Sequence, residues 1–157
     1  MSVSLTEDAV RERRKTVTRR LGWRFAKPGD RLTLCRKVMG RKPGEPLVRI
    51  AEVEVVSVRR EKLAALTIDD IWREGVPIAV FTPGDSTHEQ LCDDCRRANW
   101  IGWFARTMGV STESEVTRIE WRYLEGAPAL RAQPGHLVPH DPRHRQGGGG
   151  RVSGDAA

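Results

Sequence analysis

Leu47-Val48-Arg49-Ile50-Ala51-Glu52-Val53-Glu54-Val55-Val56-Ser57-Val58 is the most strand-like run in the chain, dense in β-branched side chains and free of glycine and proline. Its apolar positions do not keep one parity: Val48 and Ile50 fall on one side of a pleat, and Ala51, Val53 and Val55 on the other. Such a strand carries a bulge or a sharp bend, as happens when it curls round a small barrel. The flanking segments fit a sheet built on this run. Arg31-Leu32-Thr33-Leu34-Cys35-Arg36 alternates apolar with polar, and Arg41-Lys42-Pro43-Gly44-Glu45-Pro46 is a hairpin-type connection between the two strands. Lys27-Pro28-Gly29-Asp30 suits a type II turn with Pro28 and Gly29 at its centre. Glu115 to Leu124 reads as the closing strand, with Ile119, Trp121 and Tyr123 on one face and Arg118, Glu120 and Arg122 on the other.

Helices are fewer. Ser4 to Arg14 makes a short one, capped by Ser4 or Thr6 and complemented by Glu7 and Asp8 at its positive end. Thr67 to Gly75 makes a second, with Thr67 as cap, Asp70 at the reciprocal capping position and Gly75 as its stop. Thr82-Pro83-Gly84-Asp85-Ser86 is loop. Thr87 to Met108 carries Leu91, Cys95, Ala98, Ile101, Ala105 and Met108 at steps of three or four, the one long amphipathic helix, ended by Gly109. Beyond Glu125 the chain is rich in glycine and proline, including Gly147 to Gly150 in a row, and residues 125 to 157 are expected to be a disordered tail. Several short strands with two or three helices in residues 1 to 124 give an α+β domain on a small bent sheet or barrel.

The charge is unevenly placed. Residues 11 to 24 hold Arg11, Arg13, Arg14, Lys15, Arg19, Arg20 and Arg24 against Glu12 alone, which by itself equals the net charge of +6 for all 157 residues. A cluster of this kind points to an anionic or phosphate-bearing partner, RNA or another nucleic acid first. No apolar run approaches the roughly 18 residues of a membrane span, Met1 to Val10 lacks the apolar core of a signal peptide, and the three cysteines are an odd number. A cytoplasmic location and no membrane partner follow as expectations.

Within the basic run, Lys15-Thr16-Val17-Thr18-Arg19-Arg20 resembles the ASCH family, a branch of the PUA-like β-barrel superfamily. The family motif is Gly-x-Lys-x-x-Thr-x-Arg, followed by Pro-Gly-Asp and a strand, and later by a short helix ending in Glu. Lys15, Thr18 and Arg20 fall on the motif, Pro28-Gly29-Asp30 on the turn, and Leu66-Thr67 through Glu74-Gly75 on the helix; Arg13 stands where the family has glycine. The resemblance, over roughly residues 10 to 124, implies a PUA-like barrel with flanking helices and one of two activities. Small bacterial members are amidohydrolases that deacetylate N4-acetylcytidine with the motif Lys, Thr and the helix Glu, here Lys15, Thr18 and Glu74. Other members are regarded as modules that bind RNA or modified nucleic acid without catalysis.

The residue chemistry accommodates the hydrolase. Lys15 and Thr18 are three apart, so they share a face only if Lys15 lies at a bend outside a regular strand. A threonine hydroxyl needs a base, and lysine serves only if its pKa is brought down, which Arg14, Arg19 and Arg20 and burial by Trp23 or Phe25 would favour. Glu74 ends its helix, where the dipole disfavours a carboxylate, and this suits a proton donor. Arg20 is open to three roles: holding Glu74, stabilising an oxyanion or anchoring a phosphate. Trp23 is a candidate for stacking on a base, while Trp72, Trp100, Trp103 and Trp121 read as core.

No cofactor is implied. Cys92-Asp93-Asp94-Cys95 with His88 and Cys35 has the ligand types for zinc, but a CxxC inside a helix is not the turn such sites use, so no metal is assigned. His136, His140 and His144 read as linker residues.

Overall fold

Ile50 is where the long strand changes sides. In the computed structural model, which describes residues 1–82 and 91–124, Leu34 pairs with Ala51 and Cys35 with Arg49, so Ile50 is an unpaired extra residue. A second shift falls between Val55 and Ser57 against the next strand, leaving Val56 as another extra residue. The two bulges bend a strand of 14 residues, so that its first part pairs with one neighbour and its second part with another.

The elements run α1 (Glu7–Arg11), β1 (Val17–Arg20), β2 (Arg31–Cys35), β3 (Arg49–Lys62), α2 (Ile68–Glu74), α3 (Ile78–Phe81), α4 (Asp93–Met108) and β4 (Glu115–Tyr123), with short 3-10 turns at Ser4–Thr6 and Leu63–Ala65. The strands form one antiparallel sheet in the order β1-β4-β3-β2. The architecture is α+β, but the sheet does not close, which corrects the expected barrel. β1 has only four residues and, among the described residues, pairs with β4 alone, as β2 does with β3. The N-terminal residues lie between the two open edges. Ser2 bridges Cys35, Val3 N–H donates to Cys35 O at 2.9 Å, and Arg20 Nη2 donates to Ser2 O at 2.7 Å. Contacts of this kind tie the edges without supplying a ladder.

Most local expectations hold. Gly29 has φ +89° and Asp30 N–H donates to Lys27 O, as a type II turn requires. Thr67 caps α2 by accepting from Asp70 N–H at 3.2 Å, and Gly75 ends it at φ 66°. The Asp70 side chain does not complete the reciprocal cap, because it is buried against two arginines. The first helix ends at Arg11 and neither Ser4 nor Thr6 caps it. Cys92 is the cap of α4, so the CxxC opens that helix and does not lie inside it. The proposed helix residues 87 to 90, most of the loop from Pro83, His88 and the tail with its three histidines lie outside the described residues.

Two apolar clusters hold the domain. Val10, Leu34, Ile50, Val53, Val55, Ile119 and Trp121 fill one side of the sheet, and Leu63, Leu66, Ile71, Phe81, Trp100, Phe104 and Val116 pack the helices on the other. Each full burial of such a side chain is worth about 1.5–3 kcal/mol. Trp72 is not core, since it is 43% exposed. Arg118, read as outward, is buried because α2 covers the second face of β4. Among the described residues no helix is long and apolar enough to cross a membrane.

Candidate active site

Three backbone ties place Lys15 outside β1. Lys15 N–H donates to Ala9 O at 3.0 Å, Thr16 N–H to Arg73 O at 2.9 Å, and Trp121 N–H to Thr16 O at 3.0 Å. Tyr123 Oη also donates to Lys15 O at 2.7 Å. The segment is therefore pinned to α1, α2 and β4 before the regular strand starts at Val17. Gly75 permits this approach: a Cβ there would stand 2.5 Å from Ala9 Cβ and 3.3 Å from Lys15 Cβ. Only a residue without a side chain can end α2 against both.

The Lys15 side chain is buried and spends all three of its protons. Nζ donates to Val17 O at 2.9 Å, to Glu74 O at 2.5 Å and to Glu74 Oε2 at 3.1 Å, and lies 5.7 Å from the centre of the Trp121 ring. Burial pushes its pKa below the ordinary lysine value; Glu74 opposes this, and Arg20 and Arg19 add to it. The desolvation comes from the sheet and from α2, not from Trp23 and Phe25. Those two rings pack on each other, 5.2 Å apart, and Phe25 is 74% exposed.

Glu74 lies between two cations. Arg19 Nη1 donates to Glu74 Oε1 at 3.2 Å, while Lys15 takes Oε2. Arg19 is itself surrounded by carboxylates, with Nε donating to Glu61 Oε1 at 2.9 Å and Nη2 donating to Asp70. Asp70 also accepts two bonds from Arg118, 2.9 Å from Nε and 2.8 Å from Nη2. Glu120 then links Arg118 to Arg73, whose Nε reaches Thr16 Oγ1 at 3.1 Å. Lys15, Arg19, Asp70, Glu74 and Arg118 are buried, Arg73 and Glu120 partly so, and the charges alternate in sign, the condition under which such a network is tolerated.

Lys15, Thr18, Arg19, Arg20 and Glu74 line one cavity of about 190 Å³. Its opposite wall is apolar, formed by Trp100, Trp103 and Phe104 of α4, with Trp100 stacked on Phe104 at 5.2 Å. Thr18 is buried, and among the described residues its hydroxyl has no hydrogen-bond partner. Arg20 Nε is also buried without an acceptor among the described residues. The Thr18 hydroxyl thus remains available in the cavity wall, while Arg20 Nε lies beneath its surface.

Comparison with protein-family models and with curated proteins returned no match. Among solved structures the chain is similar to a protein of Enterococcus faecalis V583 described under the family DUF984, with a TM-score of 0.48 and 10% identity over 79% of this chain and 73% of that one. It is also similar to an ASCH domain from Lactobacillus crispatus JV V101, with a TM-score of 0.37 and 13% identity over 75% of this chain and 69% of that one. At these scores neither likeness carries weight for the function of this chain.

Two of the expected binding residues are not in the cavity. Arg14 is exposed, pairs with Glu12 at 2.6 Å and lines a different cleft beside α1. Trp23, at φ 62°, packs against the core of the sheet. Sequence reading missed Asp70, Glu61 and Arg118 as supports of the site, since each has an ordinary reading as a helix cap or a strand-face charge. The one available signal was Arg118 in a strand flanked by Val116 and Ile119, an arginine in a run that is otherwise core. Trp103, expected in the core, is partly buried against the helical cluster and also lines the cavity. Among the described residues no cluster of His, Cys, Asp or Glu is arranged to hold a metal ion.

Proposed function

We propose that this protein is an amidohydrolase acting on an acylated, modified pyrimidine nucleoside such as N4-acetylcytidine. The observation that carries the reading is the convergence of Lys15, Thr18 and Glu74 on one cavity, with a Thr18 hydroxyl that has no partner among the described residues and a desolvated lysine beside a carboxylate. The cavity is smaller than the roughly 300–1,000 Å³ of drug-sized pockets, which suits a single base-sized ring entering with its sugar outward. Trp103 offers a face on which such a ring can stack.

In this reading Thr18 Oγ1 attacks the acyl carbon and gives its proton to Lys15, while Glu74 protonates the departing amine. The resting pair is written with Lys15 as ammonium and Glu74 as carboxylate. Moving one proton across their 3.1 Å contact gives the amine and the acid that the reaction requires, at no change in net charge. Because Arg19 occupies Oε1, Oε2 is the oxygen that receives it. Arg20, which lines the same cavity, would supply its guanidinium as a donor for the oxyanion. Water then hydrolyses the acyl-threonine and releases the carboxylic acid.

The second reading, a non-catalytic binder of RNA or modified nucleic acid, draws on the basic run. Most of those cations are engaged within the protein: Arg11 with Glu7, Arg14 with Glu12, and Arg19 with three carboxylates. What supports the enzyme over the binder is that few are left for phosphates. Incubation with N4-acetylcytidine, following release of cytidine, tests the first reading beside Lys15→Ala, Thr18→Ala and Glu74→Gln. Turnover by the parent alone supports it. No turnover, together with polynucleotide affinity that falls steeply with salt, replaces it with the second.

A further inference from the structure

Outside the cavity, the chain holds a second pair of nucleophiles. Cys92 and Cys95 are both exposed, and their sulfur atoms lie 2.7 Å apart, closer than two non-bonded sulfurs normally pack. The remaining cysteine, Cys35, is buried and remote in the fold, in β2. Within a helix, side chains three residues apart stand about 5–6 Å apart at Cβ, too far for a disulfide, which needs about 3.5–4.5 Å. Cys92 escapes this limit because it is the cap, with extended backbone at φ −64° and ψ 160°, and so folds back over the first turn. The first helical bond, from Arg96 N–H to Cys92 O at 3.0 Å, is in place in the same arrangement.

We propose that Cys92 and Cys95 are a redox-active dithiol that closes reversibly to an intramolecular disulfide by exchange with a small disulfide. Cys92 is the attacking thiol. Its sulfur accepts the Cys95 N–H at 3.2 Å, a bond that favours the thiolate, and the Cys95 thiol beside it is its hydrogen-bonded partner. The same contacts push the Cys92 thiol below its ordinary pKa and the Cys95 thiol above it. The Cys92 thiolate attacks one sulfur of the small disulfide and breaks its S–S bond, and one thiolate leaves with the electron pair. Cys95 then loses its proton to solvent and attacks Cys92 Sγ, expelling the second thiolate. Two protein thiols are oxidised and one small disulfide is reduced to two thiols. Asp93 is paired to Arg96 at 3.1 Å and leaves the two thiols exposed, so a small disulfide such as cystamine is the suitable probe.

The full chain is treated with cystamine, the remaining free thiols are alkylated under denaturing conditions, and the peptides are weighed. The expected result is a loss of two hydrogens on the peptide carrying Cys92 and Cys95, reversed by dithiothreitol, with Cys35 alkylated. Both thiols remaining free, or a cystamine adduct persisting on the parent protein, would overturn the proposal. Cys95→Ser should trap a stable adduct on Cys92, and Cys92→Ser should react at least about tenfold more slowly at Cys95. Equal rates would overturn the assignment of Cys92 as attacking thiol. The measurement on the parent chain stands even if a variant fails to fold.

Discussion

Lys15 Nζ lies 3.1 Å from Glu74 Oε2, across 59 residues of sequence, and each side chain is at most 4% exposed. Removing one member leaves the other charged and buried. Lys15→Met or Glu74→Leu should each cost about 3–5 kcal/mol, and the double variant clearly less than their sum. Urea denaturation of the four proteins measures the coupling; simple additivity would show that the two side chains do not act as a pair.

Thr18 should behave in the opposite way. Its hydroxyl makes no hydrogen bond among the described residues, so Thr18→Ala should change stability by less than about 1 kcal/mol. If Thr18 is the nucleophile, the same substitution should reduce kcat by at least about a thousandfold, with Thr18→Ser retaining part of it. A stable but fully active Thr18→Ala protein would remove Thr18 from the mechanism.

The pH dependence has two limbs of known sign. Burial lowers the Lys15 pKa, so at pH values between the folded and unfolded values the unfolded chain binds more protons and stability rises with pH. The rate, which requires the pair to keep its one shared proton as amine and acid, should instead fall as pH rises through the lowered Lys15 value. On the acid side, burial alone would raise the Asp70 carboxyl, but hydrogen bonds from Arg118 and Arg19 outweigh it and hold the group well below its ordinary 3.8. Glu7 is held at about 2, chiefly by its hydrogen bond from Arg36. The stability these carboxylates contribute is complete above the ordinary carboxylate range and is lost as pH falls through their folded values. Asp70→Asn should flatten this acid limb in denaturation midpoints taken from pH 2 to pH 6, with most of the change below about pH 4.

Arg13 stands at φ 57°, a left-handed conformation that costs a non-glycine residue about 1–2 kcal/mol. Its guanidinium over the Tyr123 ring, at 5.7 Å, returns about 0.5–1 kcal/mol. Arg13→Gly should therefore be neutral to slightly stabilising in thermal melts, by up to about 1 kcal/mol, and Arg13→Val clearly destabilising. Gly75→Ala meets both a left-handed φ and two close Cβ atoms, and should cost about 2–4 kcal/mol while displacing Lys15.

The strands and the bend were legible because they depend on local pattern. The parity change at Ile50 is a bulge, and Pro28-Gly29 is a turn, for reasons carried by those residues themselves. The open sheet was not legible, because closure depends on whether β1 and β2 reach each other, and a four-residue β1 does not. At the site, Lys15, Thr18 and Glu74 were named from their spacing and their resemblance to a motif, whereas Trp23 and Arg14 were named for lying nearby in sequence. A left-handed residue at Trp23 and an ion pair at Arg14 turn those two away. Asp70 was hidden for a different reason: its backbone does take part in the cap, and only the fold shows that its carboxylate is committed elsewhere.

The placement of β1 also sets an order in time. Its partner is β4, with Val17 opposite Glu120 and Arg20 opposite Thr117, so this ladder closes a loop of about a hundred residues. Contacts so distant along the chain form late, after the shorter β2–β3 hairpin has repaid its own entropy cost. During synthesis Lys15 and Thr18 emerge about a hundred residues ahead of β4, and have no sheet to join until it follows. The cavity is then completed at the end of folding, and a chain interrupted before β4 would hold the motif without the site.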